Sequence, residues 1–360
     1  MRAARGIQML AVLAASGLAL SACGEAPEEN AAGGSTAAEY NACMVTDTGG
    51  IDDKSFNASA WAGLEAAKAE ASNIKTKYTA SSAIADYEPN LTDYANQKCS
   101  FILAVGGLMA DATKKIAAAN PTAQFAIVDA AIPDQTNVYP LQFDTAQASY
   151  LAGYLAAGFS KTGTVATYGG MNIPPVTIFM DGFVDGVAKY NEAKGKNVKV
   201  LGWDKATQKG TFAEDFTSQA KGKAISDTFV GQGADVILPV AGGAGLGTAA
   251  AAKESNGKYS VIWVDSDGCA VAAQYCSAFL STVVKSVEGG VKEAALKGAK
   301  GEKLDAAAGY KGTLENGGVS LGAYHEFDSK VPAELKSEIE QLKADIIAGT
   351  IKVESAAAPK

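Results

Sequence analysis

The chain has 360 residues, with 31 Lys and Arg against 39 Asp and Glu, and a formal net charge of −8. That balance, without a basic patch, argues against a nucleic-acid partner. A single histidine, His325, and the absence of metal-ligand or nucleophile spacings argue against an enzyme.

At the start of the chain, Arg2 and Arg5 precede an apolar run from Ile7 to Leu20. The run is too short to span as a mature helix and suits a secretory signal. It ends at Leu20-Ser21-Ala22-Cys23, which looks like a bacterial lipobox, in which the cysteine is diacylated and becomes the new N-terminus. Residues 1–22 are therefore expected to be removed, and residues 23–39, poor in large apolar side chains, to form a flexible tether. Two arginines leave with residues 1–22, so 29 basic residues face 39 acidic ones and the side-chain charge becomes −10. No later run reaches the ~18 apolar residues of a membrane span, so a lipid on Cys23 is the expected anchor, on the extracytoplasmic face of the cell membrane.

From there, strand-like and helical patterns alternate, which predicts parallel sheets. The first half reads as strand 42–46, helix from Phe56, strand 74–78, helix 91–98, strand 101–105, helix 112–119, strand 125–128 and an extended piece at 138–143. The second half restarts with helix 147–159, strand 164–167, helix 176–190, strand 198–202, helix 216–230, strand 236–238, helix 246–254 and strand 260–264. The architecture is duplicated without a repeat in sequence, and the length suits two lobes. The expected boundaries are 40–143 plus about 268–305 for the first lobe and 144–267 plus about 306–360 for the second.

Four cysteines remain besides Cys23, an even number in an oxidising compartment. With strand order 2-1-3-4-5, Cys43 and Cys99 lie at the same ends of neighbouring strands and a disulfide between them is plausible. Cys269 and Cys276 are seven apart and could staple a loop; free buried thiols are the alternative. A zinc site from all four has no C-x2-C spacing to support it.

Small, acidic and aromatic residues follow the strands in both halves. Asp47 to Asn57 follow the first, Gly106-Gly107 the third and Asp129 the fourth. In the second half come Tyr168-Gly169-Gly170, a loop leading to Phe212, Val240-Ala241-Gly242-Gly243 and Asp265-Ser266-Asp267. Ligands of open α/β sheets bind outside the carboxyl ends of the strands, so two facing sheets would converge these loops on one ligand and close over it at a hinge. Asp47, Asp52 and Asp53 read as turn formers and a helix N-cap, with Asp47 nearest a ligand. The glycine run 243–247 lacks the Gly-Lys-Ser/Thr ending of a nucleotide-hydrolysing loop.

TDTGGIDDKSFNASAWAGL, LQFDTAQASYLAGYLAAG, YGGMNIPPVTIFMDGFVDG, ADVILPVAGGAGLG and WVDSDG followed by STVVK together resemble the basic membrane protein family of bacterial lipoproteins. Its best-understood members are purine-nucleoside-binding subunits of ABC importers. The resemblance implies a type I periplasmic-binding-protein fold, with two Rossmann-like lobes joined by a hinge, and no cofactor. It implies a base sandwiched between Phe56 and Phe212, with Asn57 and Asp129 bonding its edge. Gly242 or Gly243, Asp265 (with Asp267 as rival) and Lys285 would hold the ribose hydroxyls. The partners implied are a nucleoside and the permease subunits of an ABC transporter, with the receptor a monomer. The residue types suit this: aromatic rings stack on a flat base, Asn and Asp read its edge, and a carboxylate beside a lysine suits vicinal hydroxyls. Two other functions fit the fold, a receptor for another small molecule such as a sugar and a surface protein that contacts other proteins. A nucleoside hydrolase working through aspartates is the enzymatic alternative.

Overall fold

The computed structural model describes residues 38–359; the signal segment, Cys23 and the tether up to residue 37 lie outside them. The first sheet is laid down by β1 (Tyr40–Val45), α1 (Phe56–Glu70), β2 (Ile74–Thr79), α2 (Tyr87–Asn96), β3 (Phe101–Val105), α3 (Ala110–Ala119), β4 (Phe125–Val128) and β5 (Val138–Phe143). Every residue of β3 and β4 is buried, because helices cover both faces of a parallel sheet. Cys43 in β1 and Cys99 just before β3 form a disulfide.

The chain then crosses into α4 (Thr145–Phe159), β6 (Thr164–Gly169), α5 (Pro174–Lys194), β7 (Lys199–Leu201), the hairpin β8 (Trp203–Asp204) and β9 (Lys209–Gly210), α6 (Gln219–Gly231), β10 (Val236–Val240), α7 (Gly245–Glu254) and β11 (Ser260–Asp265). α4, rich in alanine and glycine, is apolar nearly all round and packs on α5 and beneath the second sheet. The two backbones approach so closely that a Cβ on Gly186 would fall 1.9 Å from the Tyr150 carbonyl oxygen, which only glycine permits.

After β11 come α8 (Gly268–Val271), with the Cys269–Cys276 disulfide behind it, β12 (Phe279–Lys285), α9 (Val287–Ala299), β13 (Tyr310–Gly312), β14 (Val319–Leu321) and α10 (Ala333–Ile347). The sheets run β13-β5-β4-β3-β1-β2 and β14-β12-β11-β10-β6-β7, parallel except for β14 on β12. This is the two-lobed α/β architecture with mostly parallel sheets.

Two lobe assignments differ from the sequence reading. Residues 279–285 do not return to the first lobe: the stapled turn reverses the chain so that β12 lies parallel to β11 in the second sheet. The crossing comes after Lys285, where α9 packs on α1. β13 then pairs with β5 in the first sheet, whereas 306 onward was expected in the second lobe, and the C-terminal Pro359 carbonyl accepts from Lys311 of that strand at 2.7 Å. The chain thus passes between lobes after β5, after β12 and between β13 and β14.

Candidate functional site

Between the carboxyl ends of the two sheets lies a cavity lined by residues of both lobes, where ligands of open α/β sheets bind. The loop after β1 forms its first wall. Gly49 N–H and Asn57 Nδ2 donate to Asp47 Oδ1 at 2.9 and 2.7 Å. Asp47 N–H donates back to Asn57 Oδ1 at 3.2 Å, and Asn57 Nδ2 also reaches Asp53 at 3.0 Å. Asp53 accepts the N–H groups of Ser55, Asn57 and Ala58 and so caps α1. Ser55 occupies the cap position itself, but its hydroxyl turns away to donate to Asp265 of the other lobe. Phe56, the first residue of α1, is thereby fixed against the cavity.

Asp129 follows β4 and Asp265 ends β11, both with left-handed backbone, φ 68° and 67°. Lys285, at the end of β12 and 3% exposed, is ion-paired to Asp129 and lies 4.7 Å from the Phe56 ring centroid. Four buried carboxyls therefore line the cavity with one ammonium group, which acts on Asp129 and Asp265. Burial pushes the Asp47 carboxyl up to about 6, against its hydrogen bonds from Gly49 and Asn57 and with help from the charges of Asp53 and Asp129. Burial also raises Asp53, Asp129 and Asp265, opposed at the last two by Lys285. The second lobe adds Ile173, Pro175, Val176 and Phe179 from around the start of α5, the backbone of Gly242 and Gly243, and Phe216.

Asp47, Phe56, Asn57, Asp129, Gly242, Gly243, Asp265 and Lys285 all line this cavity. Phe212 does not. Its backbone bridges Gly169 and its ring packs edge-on against Trp203, centroids 6.0 Å apart. The aromatic ring from that loop is Phe216, placed by the sequence reading in a helix starting at residue 216. The helix starts at Gln219 because Asp215 accepts the N–H groups of Thr217 and Ser218, and Ser218 then caps α6. Asp267 is turned outward to His325 and does not line the cavity, whereas Asp265 does. The Asn57 amide is engaged with Asp47 and Asp53, so it shapes the loop before it can reach any ligand.

A cavity between two hinged lobes, lined by aromatic rings and polar groups from both, defines a solute-binding receptor. Over residues 41–357 the chain matches the family described as ABC transporter substrate-binding protein PnrA-like (Bmp), and it belongs to that family. It is 32% identical over 372 residues to the ABC transporter nucleoside-binding protein BmpA of Lactococcus lactis subsp. cremoris, covering 98% of this chain and 99% of that one. It is 31% identical over 360 residues to the CD4+ T-cell-stimulating antigen of Listeria innocua, covering 96% of each. In fold it is similar to an ABC transporter solute-binding protein from Aeropyrum pernix, with TM-score 0.79, 23% identity and coverage of 87% and 92%. The chain is thus a solute-binding protein of an ABC transporter, working with permease subunits outside the cytoplasm, and not an enzyme.

Proposed function

We propose that the chain is held at the outer face of the cell membrane by lipid on Cys23, captures a purine nucleoside in the inter-lobe cavity and delivers it to its permease. The observation that carries this is the pair of rings, Phe56 from the first lobe and Phe216 from the second, on one cavity whose polar groups include carboxylates, glycine backbone and one lysine beside an apolar wall from the start of α5. Rings supplied from opposite lobes come together only on closure and suit a flat base slid between them. Asp129 reads the base edge in this arrangement. Asp265, Lys285 and the Gly242–Gly243 backbone hold the sugar, where charge-assisted bonds to vicinal hydroxyls are strong. The nucleoside-binding relative from Lactococcus supports the same ligand class.

The test is thermal unfolding of the ligand-stripped protein with adenosine, guanosine, inosine, pyrimidine nucleosides, free bases, ribose and hexoses. Ligand held only by the folded state raises the midpoint. Purine nucleosides are expected to raise it and ribose to leave it unchanged. A shift with sugars alone would overturn the stacked-base reading.

A further inference from the structure

His325, the chain's only histidine, and the Cys269–Cys276 disulfide stand apart from the cavity and have no part in ligand capture. His325 opens a short 3₁₀ turn, His325–Phe327, after β14, with left-handed backbone at φ 43°. Its Nε2 lies 2.8 and 3.0 Å from the two carboxylate oxygens of Asp267. Asp267 caps α8 by accepting the Cys269 N–H at 3.0 Å, which brings the Cys269 side chain to the same spot. The ligating atoms of Asp267, Cys269 and His325 all lie within 4.8 Å of one another, and Cys276 is bonded to Cys269. A carboxylate, an imidazole and two sulfurs thus converge from the loop after β11, the turn behind α8 and the turn after β14. The cluster is open to solvent, with the two cysteines half-buried and His325 exposed.

We propose that reduction of the Cys269–Cys276 disulfide turns this cluster into a tetrahedral zinc site with Asp267, Cys269, Cys276 and His325 as its ligands. A dithiol reductant supplies two electrons and two protons, the S–S bond breaks into two thiols, and the reductant leaves as its own disulfide. Zn²⁺ then binds as those thiols release two protons. Two thiolates, one imidazole nitrogen and one carboxylate oxygen form a donor set that zinc accepts, at about 2.3 Å for sulfur and 2.0–2.2 Å for nitrogen and oxygen. Three of the donors already lie within 4.8 Å of one another and the fourth, Cys276, is bonded to one of them, so small movements reach those distances, and neither α8 nor the turn carrying Cys276 is fixed in a sheet. With the disulfide intact only Asp267 and His325 remain as donors. Spacing in sequence does not reveal the site, because its fourth ligand arrives 49 residues after Cys276. The other disulfide, Cys43–Cys99, is buried in the first lobe at 0% and 5% exposure and is closed to both reductant and metal.

The experiment reduces the protein with dithiothreitol, removes the reagent without air, and titrates Zn²⁺ and, as a spectroscopic probe, Co²⁺. Expected are one metal per reduced chain, thiolate-to-cobalt charge-transfer bands, and no uptake by the oxidised protein. Cys269→Ser/Cys276→Ser, with Cys43–Cys99 intact, should lose the bands. His325→Gln should bind roughly tenfold or more weakly, and unchanged circular dichroism will show that both variants fold. No uptake after reduction, uptake that survives the double serine variant, or affinity unchanged in His325→Gln would each overturn the proposal.

Discussion

Asp129 and Asp265 occupy the same place in the two lobes. β4 and β11 are each third from the same edge of their sheets, each aspartate closes its strand with left-handed backbone, and each is held by a group from the opposite lobe. The holding groups differ. Asp129 of the first lobe meets the ammonium of Lys285, whereas Asp265 of the second meets the hydroxyl of Ser55. One linkage is a buried charge pair and the other a hydrogen bond to a charged group. The duplicated fold supplies two equal carboxylate positions, and the residues opposite them make one strong link and one weak link across the cleft. That asymmetry suits a receptor that must close firmly and still release its ligand.

Removing the strong link should do most damage. Lys285→Met leaves the buried carboxyls of Asp129 and Asp265 without their cation, and losing one partner of a buried pair costs about 3–5 kcal/mol. Denaturant unfolding of the ligand-free protein reads this directly. A loss no larger than about 1–2 kcal/mol, the range of a hydrogen bond to a charged group, would mean that the two linkages are equivalent after all.

The next largest effect comes from the first-lobe loop and depends on pH. The Asp47 carboxyl ionises at about 6 in the folded protein against 3.8 as its ordinary value. Folding therefore carries a penalty above pH 6 that fades as pH falls and is absent once both states are protonated. Asp47→Asn has no such titration and can still accept the Gly49 N–H. From pH 7.5 down to 3.5, wild type should gain on Asp47→Asn by up to roughly 3 kcal/mol. A pH-independent difference between the two would show that Asp47 ionises normally.

In the second lobe the rings can be separated. Phe216→Ala should weaken nucleoside binding by about 1–3 kcal/mol, the range for loss of a base-stacking ring. Phe212→Ala should leave affinity nearly unchanged and lower the melting point instead, since its ring packs on Trp203 and Gly169. Titration calorimetry of both variants distinguishes them, and the opposite pattern would restore Phe212 to the cavity.

Those two phenylalanines show where the sequence is legible and where it is not. The parallel sheets, the disposition of loops at strand ends and most cavity residues follow from buried strand runs and from small or acidic residues after them. These signals are local. Phe216 was hidden because Asp215 and Ser218 end the loop three residues later than apolar periodicity suggests, a matter of side-chain capping. The β8–β9 hairpin was invisible because each strand has two residues and is held by long-range bonds from Trp203 and Gln208 to the buried Asp181 of α5. The lobe of β12 turned on the Cys269–Cys276 staple, and that of β13 on three residues pairing with β5 from 169 positions away. Pairings of that reach leave no periodic trace.

The weak link gives the finest test of the comparison. Ser55→Ala removes the hydroxyl that Asp265 accepts from, while Asp53 continues to cap α1. The expected loss is about 1–2 kcal/mol, well under that of Lys285→Met, because a hydrogen bond to a charged group nets no more than ~3 kcal/mol. Asp265→Asn alone also relieves the burial of a carboxylate, so the pair must be read as a double-mutant cycle with Ser55→Ala. A coupling energy of about 1 kcal/mol would fix the Ser55–Asp265 bond as a cross-lobe contact of the closed protein. Zero coupling would mean that closure rests on Lys285 alone, and the symmetry of the two aspartates would then be one of backbone only.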